Sequence, residues 1–181
     1  MLTNIYLIRH ATPNRAGGVP YRTMPGPELT QQGKEEARQA AAFLAERSLE
    51  HLYSSPYARA EQTTEQIATR LPDLPVTFTA LIAEHGETES LEHLRTRIHE
   101  FLAGLQDATF RAVGVVSHGS PIKEMLLHLT GGTVNLKGHV YDTGNPAPTA
   151  GIWHVRRTNP DDADGPLVWQ AKLIFKPGQV L

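Results

Sequence analysis

The chain of 181 residues contains no cysteine. That absence removes disulfides, thiol nucleophiles and thiolate zinc sites together, while leaving the redox compartment open. Charge of one sign is also missing. The formal net charge is -2, so no overall basic field of the kind that draws nucleic acid surrounds the molecule, and any affinity for anions has to be local. Long hydrophobic runs are absent as well. Met1 to Ile8 is a short apolar stretch with no basic segment before it, and it meets Arg9 and His10 at once, which suits neither a signal peptide nor a membrane span. A soluble cytoplasmic protein with no nucleic-acid or membrane partner is the expectation; the oligomeric state is not specified.

What is present is an ordinary globular composition, 40% hydrophobic, in a length that buries one sizeable core. Three short β-rich runs, Asn4 to Ile8, Leu49 to Tyr53 and Ala112 to Val116, are too brief for helices and end in polar or Gly/Pro punctuation, so they read as buried strands. Between them lie apolar stripes at helical spacing: Ala37, Ala40, Ala41 and Leu44; Ala60, Thr64, Ile67, Ala68 and Leu71; Leu91, Leu94, Ile98, Phe101 and Leu105; and Ile122, Met125, Leu126 and Leu129. Ser55-Pro56 and Ser120-Pro121 each read as a capping hydroxyl before a proline at the first helical position.

A Gly/Pro-rich stretch from Gly131 to Gly151 reads as a loop bordering a site. Ile152 to Arg156 and Val168 to Phe175, joined by a polar turn through Asn159, Pro160, Asp161 and Asp162, read as an antiparallel pair on the sheet edge. Strands alternating with amphipathic helices predict one α/β domain over residues 1–181, a three-layer αβα sandwich with a mostly parallel central sheet and an antiparallel edge.

In open α/β sheets, ligands collect at the carboxyl ends of the strands. Here the first strand ends in Arg9-His10, the second leads to Arg59 in the first turn of a helix, and the third ends in Ser117-His118-Gly119. Two imidazoles and two guanidiniums would converge on one cleft. Helix amino termini, Gly119 among them, would add oriented backbone N–H groups. Each element alone has an incidental reading as packing or surface; together they describe an anion site with a nucleophile in it. The other seven histidines, His51, His85, His93, His99, His128, His139 and His154, lack such a setting and read mostly as solvated or packing residues.

The blocks Leu7 to Thr12, Leu29 to Gly33, Ser54 to Thr63 and Val116 to Gly119 closely resemble, in order and spacing, the histidine phosphatase superfamily, also called the phosphoglycerate mutase-like family. The resemblance implies that His10 is the histidine that becomes phosphorylated, that Arg9 and Arg59 bind the phosphoryl group, and that His118 is the second histidine of the pocket. It also places a general acid on the loop Leu81 to Glu89, where Glu84 is the first choice and Glu87 and Glu89 are alternatives suited to a helix start. Such an acid protonates the leaving alcohol and then takes a proton from water, for which a raised pKa is apt. Two positions depart from the commonest family pattern. Ala11 stands where glycine is usual, and the segment before the helix start at Glu87 to Glu89 is short.

Asn14 is a candidate phosphate donor through its side-chain amide. Arg15, Tyr21 and Arg22 are either substrate contacts or water-facing loop residues. No P-loop, no clustered carboxylates and no metal-binding histidine helix occur, so neither metal nor cofactor is expected. The acidic pairs Glu35-Glu36 and Asp161-Asp162 read as solvated helix face and turn. The substrate class is a small phosphorylated metabolite. The leading activity is phosphomonoester hydrolysis through phosphohistidine; a phosphoglycerate mutase or a non-catalytic phosphate-binding domain are the alternatives. The short acid-bearing region favours hydrolysis, because mutases resembling this core carry larger insertions there that close the site against water.

Overall fold

Ile5 and Leu7 face one side of the first strand and Tyr6 and Ile8 the other, and all four are buried, so this strand can only sit inside a sheet covered on both faces. The computed structural model describes every residue except 108, 143, 159–167 and 180–181. The predicted turn at Asn159 to Asp162, with its acidic pair, lies outside the described residues. In chain order the elements are β1 (Asn4–Arg9), α1 (Gln31–Ala45), β2 (His51–Ser54), α2 (Ala58–Arg70), β3 (Val76–Phe78), α3 (Leu91–Asp107), β4 (Ala112–Ser117), α4 (Gly119–Leu129), β5 (Ile152–Thr158) and β6 (Val168–Phe175).

The sheet order is β3-β2-β4-β1-β5-β6. β1 to β4 run parallel, whereas β5 pairs antiparallel with both β1 and β6. One hydrophobic cluster joins Ile5, Leu7, Val113 and Val115 to Leu94, Ile98, Ile122 and Met125; the other joins Tyr6, Ile8, Leu52 and Val116 to Ala37, Leu44, Ala60 and Ile67. α3 and α4 therefore cover one face and α1 and α2 the other, giving the three-layer αβα sandwich. Among the described residues, no helix is long and apolar enough to cross a membrane.

Several local expectations need correction. β2 starts at His51, two residues later than Leu49. β3 was not expected at all: it has three residues at the sheet edge and is largely exposed, so no pattern of two-sided burial marks it. Leu91 begins α3 but is 47% exposed and lies off the apolar stripe. Neither Ser-Pro pair caps a helix. Tyr57 is the N-cap residue of α2, and α4 starts earlier, with His118 at its N-cap and Ser120 and Pro121 within its first turn. Proline is tolerated there because first-turn N–H groups have no intrahelical partner.

Thr30 caps α1 by accepting from the Gly33 N–H. Gly33 lies so close to the backbone of Thr12 that a Cβ would overlap the Thr12 carbonyl oxygen. Because the obstacle is backbone, it cannot rotate away. Gly33→Ala is expected to destabilise the fold by about 1–3 kcal/mol, the usual scale of overpacking, and to shift the segment after His10; an unchanged melting temperature would argue against that close contact.

Candidate active site

The hydrophobic runs of β1 and β4 end at neighbouring positions, Arg9 opposite Ser117 in the register, so His10 and His118 leave the sheet side by side. Their ring centroids are 5.1 Å apart. Both imidazoles and Arg59 are fully buried. His10 Nδ1 lies 2.8 Å from the Ala11 carbonyl oxygen. A carbonyl only accepts, so this nitrogen carries the proton and Nε2 presents a lone pair toward the pocket. The Tyr21 hydroxyl, 3.1 Å from Nε2, donates to it.

The segment after His10 is tied down from two helices. Ala11 N–H donates to Thr63 Oγ1, which in turn donates to the Arg59 carbonyl. Thr12 donates through its N–H and hydroxyl to Glu36. Glu36 is thus not the solvated helix-face residue expected: it is 8% exposed, and its carboxylate orders the segment beside the histidine. Its neighbour Glu35 is exposed and pairs with Arg38.

Arg9 Nη1 donates to Asp142 Oδ2 at 2.6 Å and to the Ala147 carbonyl at 2.8 Å, while Arg9 Nε has no partner among the described residues. Arg59 Nη2 donates to Glu84 Oε2 at 3.1 Å, with Arg59 Nε and Nη1 unpartnered. His118 Nε2 bonds the Ser55 hydroxyl at 2.7 Å, and Ser55 Oγ also accepts from the Tyr57 N–H. His118 Nδ1 is left without a hydrogen-bond partner among the described residues, 3.5 Å from Glu84 Oε2.

Of the candidate acids, only Glu84 enters this group of residues. Glu89 is held by Arg97, which donates from Nε and Nη2 to the two carboxylate oxygens at 2.7 and 2.9 Å. That pairing keeps the Glu89 carboxyl at about 2, well below the usual carboxylate range. Such a group is a poor proton donor near neutrality. Arg97 also donates to the carbonyls of Leu81 and Glu84, so it clamps the loop that carries Glu84. Glu87 is exposed and lines a cleft of about 690 Å³ together with Arg9, Glu84, Arg15, Tyr21 and Gly119.

Arg22, Lys123 and Asn145 also border that cleft. Gly119 packs against Asn145 there, and a Cβ would require the Asn145 side-chain amide to turn away. Asn14 is placed elsewhere. It is exposed, and its Oδ1 caps the turn Arg15–Gly17 by accepting from the Ala16 N–H.

The family model described as histidine phosphatase superfamily (branch 1) matches residues 5–86, and the remaining block, at His118, meets His10 in the geometry above. Over this stretch, somewhat less than half of its length, the chain is similar to the histidine phosphatase superfamily. An uncharacterized protein of Mycobacterium tuberculosis is 32% identical over 68 residues, which is 38% of this chain and 34% of that protein; the match thus spans about a third of the curated relative.

Among solved structures, a mycobacterial glucosyl-3-phosphoglycerate phosphatase has a TM-score of 0.71 at 18% identity, covering 94% of this chain and 97% of that one. The alpha-ribazole phosphatase from Shigella flexneri has a TM-score of 0.70 at 16% identity, covering 86% and 91%. At these identities the likeness concerns the fold.

His10, Glu84 and His118 are the one group among the described residues whose donor atoms lie close enough together to share a metal ion. Two-histidine, one-carboxylate sets do bind divalent ions. Here Glu84 is already paired with Arg59, His10 Nδ1 is engaged, and the Arg9 and Arg59 charges act on both imidazoles. Those fixed positive charges oppose a dication and favour an anion.

Burial, followed by the charges of Arg59 and Arg9, lowers the His10 pKa well below the imidazole range; burial, His10 and the same arginines do so for His118. In the unfolded chain both would protonate near pH ~6.5. Below that value the unfolded state binds more protons, so the stability contribution is full above it and declines as pH falls. The melting temperature is expected to drop between about pH 7 and about pH 5.5, before carboxylates such as Glu89 begin to matter. A flat profile across that interval would contradict neutral, buried imidazoles.

Proposed function

We propose that the protein is a metal-independent phosphatase that hydrolyses a small phosphomonoester through a phosphohistidine on His10. The observation that carries this reading is the His10 tautomer: Nδ1–H is committed to the Ala11 carbonyl, leaving Nε2 as a neutral nucleophile between two buried guanidiniums. In the first step His10 Nε2 attacks phosphorus in line with the leaving oxygen. The N–P bond forms as the P–O bond breaks. The open donors of Arg9 and Arg59 and the unpartnered His118 Nδ1–H hold the equatorial oxygens, on which negative charge is spread in the transition state.

Glu84 gives its proton to the departing alcohol. It then accepts one from the water that cleaves the N–P bond, restoring His10 and releasing phosphate. The carboxylate observed on Arg59 would give up that partner to the incoming phosphoryl group. Nothing in this sequence of steps needs a metal ion, because the charge it would supply comes from the arginines. The cleft is of metabolite size. Small phosphorylated metabolites such as sugar phosphates or phosphoglycerates are accordingly the proposed substrate class.

The test is hydrolysis of p-nitrophenyl phosphate in excess chelator, with an alkyl phosphate alongside. Release of phosphate from both, unchanged by chelator, is expected; activity that returns only with added divalent ion would remove the metal-independent reading. For Glu84→Gln, kcat/KM reports the first step alone. It should fall by about 10²- to 10⁴-fold for the alkyl ester, yet little for p-nitrophenyl phosphate, whose leaving group departs without a proton. An equal fall on both would take the acid role from Glu84. If no phosphate is released, interconversion of phosphoglycerates would reveal return of the phosphoryl group to substrate.

A further inference from the structure

The cleft does not reach the atom that has to attack. Arg9, Glu84 and Tyr21 are among its walls, whereas His10, Arg59 and His118 are not, and all three of these are fully buried. Tyr21 stands between. Its hydroxyl is 3.1 Å from His10 Nε2, and its ring lies against two guanidiniums, with Arg15 Cζ 4.0 Å and Arg59 Cζ 4.1 Å from the ring centroid. The phenol thus holds at once the lone pair of the nucleophile and the face of an arginine that would grip the phosphoryl group.

We infer that Tyr21 is displaced by the phosphoryl group, acting as an internal competitor of the substrate for His10 Nε2 and Arg59. The inference rests on the reading of Nε2 as the attacking atom. In-line attack requires phosphorus on the axis of the Nε2 lone pair, where the phenolic oxygen now sits; the two cannot share it. The following backbone is anchored. The Arg22 carbonyl accepts from the Tyr57 hydroxyl at 2.8 Å, the Pro25 carbonyl accepts from the Ala58 N–H at 2.8 Å, and Gly26 lies against Arg59 and Tyr57. The displacement is therefore a rotation of the Tyr21 side chain, with residues 22–26 staying in place.

Every ligand that reaches His10 gives up the phenol's hydrogen bond and its contacts with the two guanidiniums before making its own. Removing the hydroxyl alone lowers that cost by one neutral hydrogen bond, which corresponds to an affinity change of about two- to tenfold.

The experiment is calorimetric titration with inorganic phosphate of the wild-type protein, Tyr21→Phe, His10→Ala and the double variant. Tyr21→Phe keeps the ring and should fold normally. It is expected to bind phosphate about two- to tenfold more tightly than the wild type. The same change made in the His10→Ala protein should have little effect, because the phenol has lost the partner it was blocking. Unchanged or weaker binding by Tyr21→Phe overturns the inference, the weaker result indicating a phenol that donates to the bound anion instead. Equal tightening in both backgrounds also overturns it, since the effect would then not pass through His10. Phosphate bound by none of the four proteins removes the anion site and the inference with it. Tightening that depends on His10, in a protein without phosphatase activity, upholds the inference and removes only the hydrolytic reading.

Discussion

His10→Ala is expected to remove turnover almost entirely while leaving the fold intact. In the proposed mechanism the Nε2 lone pair of this side chain makes the attack, its Nδ1–H being held by the Ala11 carbonyl, and its loss takes away the covalent route as a whole. Loss of a catalytic nucleophile typically costs on the order of 10⁶-fold in kcat. The fold should survive because the strand that leads into His10 is held by backbone ladders on both sides. The measurement is a pair: steady-state hydrolysis, and labelling with substrate followed by denaturation. The wild type should carry a phosphoramidate that survives alkali and is lost in acid, and the variant should carry none. Substantial hydrolysis by His10→Ala, or a label of unchanged yield, would mean that a different group attacks.

Arg59→Ala should have the next largest effect on rate. Arg59 is fully buried, yet Nε and Nη1 have no partner among the described residues and only Nη2 is engaged, by Glu84. A cation kept under-satisfied in the interior is costly to the fold. A bound anion would offset that cost. Removing it is expected to lower kcat/KM by about 10²- to 10³-fold, the scale of a lost donor to transition-state charge. It should also lower the melting temperature, since Glu84 is left buried without its counter-ion. Adding Glu84→Gln to the variant should restore part of the lost stability and none of the lost activity. A variant that binds phosphate weakly but turns over at the wild-type kcat would restrict Arg59 to ground-state binding.

The parts of the molecule that could be read from sequence are those fixed by neighbouring residues. Unbroken apolar runs that stop at Arg9-His10 and at Ser117-His118 marked both the central strands and the ends where the site lies. Helical stripes placed all four helices. What escaped depends on partners distant in the chain. Ser55 looked like a cap, but its hydroxyl is taken by His118, 63 positions away. Glu36 looked solvated because nothing near it in sequence shows that Thr12 turns its N–H and hydroxyl toward it. Asp142 sits 133 positions from Arg9 in a stretch without periodicity, and no local signal could have paired them. Glu84, Glu87 and Glu89 could not be separated until Arg97 was seen to engage one of them.

The four blocks that carry the family resemblance end by Gly119, but Arg9 is seated by what comes later. Its N–H donates to the Gly151 carbonyl, its side chain to Asp142 and the Ala147 carbonyl, and the His10 carbonyl accepts from the Ala150 N–H. β5 then covers the open edge of β1. A fragment cut after α4 would keep all four signatures and still present β1 as an unpaired edge strand, prone to pairing with other copies. Arg9, proposed to bind the phosphoryl group, would have lost its anchors. Possession of the signatures and possession of a working pocket are thus separable, and a shortened homologue can carry the first without the second.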